Sequence, residues 1–202
     1  MKKKKFKRLF VALAIVSVLA TATVGGFYYL FYGQAIENET KIYIGADTSY
    51  DEIVAQIAPS LRSGAHRSAF DFYAQRLQLD KRHRSGYYVL SRGESVIRVV
   101  RKLALGEQTP VKLRIGEART LPQLAGKLSK QIEADSTILL SAMRNAQIRK
   151  ELGFIKDSTI ALFIPNTYEV YWNISPEQLL QRMSRENANF WNEERTAKLK
   201  RC

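Results

Sequence analysis

Residues 9 to 31, "LFVALAIVSVLATATVGGFYYLF", carry no charge, and beyond them apolar positions recur only in short periodic runs. Three of these runs alternate as strands do. "KIYIG" (41–45) and "GYYVL" (86–90) are aromatic and β-branched, and "VKLRI" (111–115) sets Val111, Leu113 and Ile115 against Lys112 and Arg114. Between them apolar positions follow the helical period. Ser49 with Glu52 reads as a capping box ahead of Ile53, Val54, Ile57 and Leu61. Ser68 with Asp71 is the expected start for Phe70, Tyr73, Ala74 and Leu77, and Ser91 with Glu94 for Val96, Val99, Val100 and Leu103. Residues 40–116 thus read as an α+β module of order βααβαβ.

Past residue 116 the pattern is mainly helical. Thr120 and Gln123 bracket Pro122 ahead of Leu124, Leu128 and Ile132, and a second helix is expected over 136–145. "DSTIALFIPNTYEVYW" reads as extended and turn-rich, because Pro165 keeps Ile164 out of helical geometry. Ser175-Pro176-Glu177-Gln178 then opens a last helix that carries Leu180, Met183, Phe190 and Trp191.

The uncharged run is long enough to matter by itself. Its 23 residues reach about 34 Å as a helix, against a hydrocarbon layer of about 30 Å. Ala20-Thr21-Ala22 resembles a signal-peptide cleavage site, but the apolar run continues to Phe31 and ends in Phe27, Tyr28, Tyr29 and Tyr32. Such aromatics belong to an interfacial belt, so the expectation is an uncleaved single-pass anchor over 9–31. Residues 1–8 hold six lysines and arginines and no acidic residue precedes Glu37. This basic tail is expected in the cytoplasm, at the inner membrane, with the rest of the chain outside.

Without that tail, 26 basic side chains remain against 19 acidic ones in a chain of 202 residues and net charge +13. The excess suits an anionic partner or a plain solvated surface. The basic residues show no aromatic-interleaved pattern and the topology is one of export, so nucleic acid is not an expected partner. Cys202 is the one cysteine, and His66 and His83 lie in polar stretches that read as surface. No metal site and no cofactor is expected. The aromatics behind Pro165-Asn166 leave two readings open: Tyr168 and Tyr171 pack a strand against the next helix, or the stretch presents a binding wall.

Two stretches carry a family resemblance. "YVLSRGESVIRVVRKL" (88–103) resembles a lysin-motif (LysM) unit, with Tyr88, Leu90, Gly93, Glu94 and Ser95 at its opening positions. "FIPNTYEVYW" resembles the Leu-Phe-Pro-Asp-Thr-Tyr-x-Phe element of the YceG-like (MltG) family of endolytic murein transglycosylases. The resemblance implies an enzyme that cleaves the bond between N-acetylmuramic acid and N-acetylglucosamine, leaves 1,6-anhydro ends and limits glycan strand length. It implies peptidoglycan strands, the membrane and cell-wall synthesis enzymes as partners, and no pyridoxal phosphate. Tyr168 and Trp172 become candidate stacking faces, and Asn166 and Glu169 candidate polar contacts. Residues 117–202 then read as the start of the catalytic, glycan-groove domain. No residue here matches the family's catalytic glutamate, which is expected beyond Cys202. Where family members have Glu-Gly, this chain has Ile160-Ala161. The alternative is an anchored peptidoglycan-binding module without catalysis.

Overall fold

The computed structural model describes residues 2–153 and 159–191, the first nine of them by backbone alone. The chain forms two compact units, Met1–Gln108 and Thr109–Cys202.

The first unit begins with α1 (Lys2–Tyr32), whose stretch Val11–Tyr32 is long and apolar enough to cross a membrane. Beyond it, β1 (Thr40–Ile44) and β2 (Gly86–Leu90) pair antiparallel, with Ile42 opposite Tyr88. Between the strands lie α2 (Tyr50–Ile57), α3 (Gly64–Arg76) and the short α4 (Leu79–Arg82). After β2 comes α5 (Val96–Leu105). Ile42, Ile44, Ile53, Ile57, Phe70, Tyr88, Leu90 and the Val96–Leu103 stripe of α5 share one core. Phe31, Ala35 and Ile36, at and just past the end of α1, belong to the same core.

The Ser49 capping box is present as expected. Two helix starts lie elsewhere. Ser63, in extended geometry, accepts from the His66 N–H and starts α3 five residues earlier than Ser68. Ser68 sits inside the helix and donates its hydroxyl back to the Gly64 carbonyl at 3.2 Å. In the other case Ser95 caps α5 by accepting from the Arg98 N–H, while Ser91 opens the preceding turn. Position and backbone geometry, which a Ser-x-x-acid pattern does not encode, decide which hydroxyl can cap.

The second unit opens with β3 (Val111–Ile115), which pairs antiparallel with β4 (Asn166–Val170). The third strand of the expected βααβαβ module therefore forms its sheet with β4, and the β1–β2 ribbon stays two-stranded. Helices α6 (Leu121–Leu128), α7 (Ser136–Arg144), α8 (Ala146–Glu151) and α9 (Pro176–Phe190) complete the unit. Thr120 caps α6, and Ser175 with Gln178 forms the capping box of α9, with Pro176 at its first turn. Leu113, Leu124, Leu128, Leu139, Met143, Tyr168, Leu179 and Met183 form a second core.

Candidate functional site

Strand period sorts the "NTYEV" residues onto two faces. Tyr168 and Val170 point into the second core opposite Leu113 and Val111, while Thr167 and Glu169 point outward opposite Arg114 and Lys112. Tyr168 is 7% exposed, and its hydroxyl donates to the Ile164 carbonyl at 2.9 Å. Burial, with Glu186 nearby, pushes its pKa up. Of the two readings open for Tyr168, its placement matches the packing one. Tyr171 lies on the other side of the balance, 54% exposed on the outer face just past β4.

Tyr171 and Glu169 line an open groove of about 590 Å³ between the end of β4 and the first turns of α9. Its other wall includes Gln178, Gln181, Arg182 and Arg185. Those four recur at i, i+3, i+4 and i+7, the polar stripe of a helix whose Leu179, Leu180 and Met183 are buried. Arg182 is held by Glu186 at 2.8 Å. Arg185 is exposed and has no side-chain partner among the described residues. Gln178 turns its Oε1 to the Ser175 N–H, so the groove is fixed where α9 is capped.

Of the four residues expected to bind substrate, Glu169 alone lines this groove. Asn166 is exposed at the start of β4, where its Oδ1 accepts from the Thr167 N–H at 2.8 Å. Trp172 is half-buried in the following turn, and its carbonyl accepts from the Glu133 N–H. Tyr171, Gln181 and Arg185 were not singled out as binding residues. Counting strand parity from Tyr168 and helix period from Leu180 would have found them. The groove offers an aromatic face, amide side chains and a guanidinium beside one carboxylate. Such a set is chemically able to stack on a ring face and to hydrogen-bond hydroxyl and carboxylate groups.

Of the five motif positions in the first unit, Leu90 lies in the core and the other four hold local structure. Tyr88 is fully buried and donates to the Arg84 carbonyl at 2.7 Å, and burial pushes its pKa up to about 12. Gly93 adopts φ +84° and donates to the Ile36 carbonyl at 2.8 Å. Glu94 forms an ion pair with Lys102 at 2.5 Å, and Lys102 also donates to the Val89 carbonyl at 2.9 Å. Ser95 is the cap described above. Together they bind the strand, the turn and the helix into one piece.

The histidines differ from the surface positions expected of them. His66 is 2% exposed, with Nδ1 2.8 Å from the Ser63 hydroxyl, and burial and Arg62 hold it below the ordinary histidine range. His83 is half-buried, with Nδ1 3.1 Å from the Leu79 carbonyl.

The model of the YceG-like family matches residues 42–201. Among solved structures, a yceG-like protein from Listeria monocytogenes is similar at 20% identity and a TM-score of 0.41. That match covers 81% of this chain but 59% of the Listeria one. No curated protein matches the chain significantly.

Proposed function

The chain belongs to the YceG-like family, and from that premise we propose that it is part of a membrane-anchored endolytic lytic transglycosylase acting on nascent peptidoglycan. The observation that carries the reading is the groove of Glu169, Tyr171 and Arg185 inside the family-matched region. Tyr171 stacks on a sugar face, Gln181 reaches hydroxyl or acetamido groups, and Arg185 takes a lactyl or peptide carboxylate. The stretch Val11–Tyr32 holds this unit at the cytoplasmic membrane, with the basic N-terminus inside and the groove outside.

Cleavage without water needs one carboxyl group used twice. It first protonates the oxygen leaving the anomeric carbon, and the glucosamine-side product departs with a new hydroxyl. As carboxylate it then takes the proton of the muramic 6-hydroxyl, whose oxygen closes on the anomeric carbon and makes the 1,6-anhydro ring. Such acid–base catalysis contributes about 10²–10⁴-fold. The resemblance implies a catalytic glutamate, a role that this reading gives to no described residue. Glu169 is exposed on the sheet's outer face opposite Lys112, and its role in this reading is contact with the glycan. These residues bind and align the strand so that the scissile bond stays fixed while the proton moves.

The test incubates the full chain with purified sacculi and measures both retention at high salt and new anhydro-muramic ends. Retention with anhydro ends supports the enzyme. Retention alone favours the second reading, an anchored binding module, which rests on Glu169 lying open to solvent opposite Lys112, placed for contact with a bound chain. Loss of retention at high salt, as screening of plain charge attraction would give, overturns both.

A further inference from the structure

The outer side of α3 carries an exposed aromatic ring that neither the core nor the groove uses. Phe72 is 62% exposed, yet its ring meets Phe31 edge-on at 6.0 Å. Phe31 in turn stacks on Phe27 at 4.3 Å and meets Tyr73 at 6.3 Å. Phe31 is the penultimate residue of the apolar stretch Val11–Tyr32. Such a stretch just spans a hydrocarbon layer of about 30 Å. A side chain touching Phe31 therefore lies where hydrocarbon gives way to headgroups. A single exposed phenylalanine is ordinary on a protein surface; one in ring contact with the last turn of a membrane-length helix is not placed at random.

Packing and hydrogen bonds tie the first unit to the end of α1. Phe31 is 6% exposed, and Ala35 and Ile36 are fully buried. The Ala35 and Ile36 N–H groups both donate to the Glu94 carbonyl, at 3.0 and 3.1 Å, and Ile36 bridges to Leu61. The helix end is thus built into the core. Helix α3 also crosses that end, because His66 meets Tyr29 at 5.7 Å while Phe72 meets Phe31. Six residues of α3 correspond to two of α1, which at about 1.5 Å per residue means roughly 9 Å against 3 Å. Helices running side by side would match in length.

Charge agrees with the geometry. Arg76 lies one turn from Phe72 on the same face, exposed and without a side-chain partner among the described residues. Arg101 is exposed and donates its Nε to the Tyr73 hydroxyl at 3.3 Å, which sets it beside the same aromatic group. The carboxylate on this helix, Asp71, is half-buried and accepts from the Tyr50 hydroxyl at 3.0 Å.

We propose that Phe72, Arg76 and Arg101 form a membrane-lying surface that seats the first unit on the anionic headgroups of the bilayer crossed by α1. Phe72 enters the interface while the arginines keep their alkyl stems along it and their charges at the phosphates. The proposal rests on the anchor reading, and the experiment separates the two. The full chain carries Cys202→Ser with a single labelled cysteine, either Phe72→Cys or Tyr28→Cys. It is reconstituted in phosphatidylethanolamine–phosphatidylglycerol vesicles that contain a headgroup-level quencher lipid. Quenching at position 72 within about twofold of that at position 28 is expected for a side chain at interfacial depth. Adding Arg76→Glu with Arg101→Glu should lower the quenching at position 72 at least about twofold and leave position 28 unchanged, because anionic lipid repels the reversed charges. Quenching at 28 with none at 72 overturns the surface and leaves the anchor standing. Quenching at neither position removes the anchor, and the surface with it.

Discussion

Replacing Lys102 with methionine removes one buried ammonium and leaves the rest of α5 in place. In the folded chain Lys102 is 9% exposed and serves two acceptors, Glu94 and the Val89 carbonyl. The second carboxylate oxygen of Glu94 is buried without a partner, so Lys102 is the group that balances that charge. Breaking a buried ion pair from one side costs about 3–5 kcal/mol, and the residual exposure of the two side chains, 11% and 17%, argues for the lower end, about 3 kcal/mol. Removing both partners is a different perturbation. Lys102→Met with Glu94→Leu leaves no orphaned charge, and should cost only about 1 kcal/mol. Hydrogen exchange of the β2 and α5 amides, in the detergent-solubilised full chain, reads the local opening energy directly. A loss of about 3 kcal/mol means roughly 150-fold faster exchange in the single variant. The double variant should exchange about 5-fold faster than the parent. A single variant that exchanges as slowly as the double would show that the carboxylate finds solvent without Lys102, and would refute the argument.

Gly93→Ala should cost about 1–2 kcal/mol by the same exchange measurement, because φ is +84° while the added Cβ meets nothing closer than Gln34 at 3.7 Å. A larger loss would mean that space, and not backbone angle, requires the glycine. His66 is held below the ordinary histidine range by burial and Arg62. The unfolded chain therefore binds a proton that the folded one resists, and stability is full above about pH 6.5 and falls as pH drops below it. His66→Gln should flatten the dependence of Tm on pH across that window. Tyr168→Ala should destabilise the second unit by about 3–5 kcal/mol, seen in denaturant unfolding followed by the fluorescence of Trp172. Tyr171→Ala, by contrast, should leave that transition unmoved and weaken retention on sacculi about 5-fold, the equivalent of about 1 kcal/mol of stacking.

Several elements were legible because their signals are local. The Ser49 and Ser175 capping boxes, Thr120 as a cap and the alternation of "VKLRI" each need only a few neighbouring residues. The stretch Val11–Tyr32 is likewise declared by composition and length alone. Family membership was readable from "FIPNTYEVYW", since its order of residues exceeds what a strand requires. The partner of β3 was not readable: Val111 faces Val170, 59 positions further along the chain, and any apolar alternating strand could have met it. The capping hydroxyls of α3 and α5 also escaped, because a cap depends on which serine is extended where the helix begins.

The sequence by itself determined that a membrane-length apolar helix precedes an α+β chain of the YceG-like family, because period, caps and composition act over a few residues. Tertiary structure decided which residues face the groove. Tyr168 and Tyr171 are chemically alike and three positions apart, and opposite strand parity buries one while exposing the other. Only the pairing of β4 with β3 and the packing of Leu179, Leu180 and Met183 fix which side is inward. The same holds for Phe72, whose meaning comes from a ring on α1 that lies 41 residues earlier and 6.0 Å away. Distance along a chain does not report distance in space, and recognition depends on the latter.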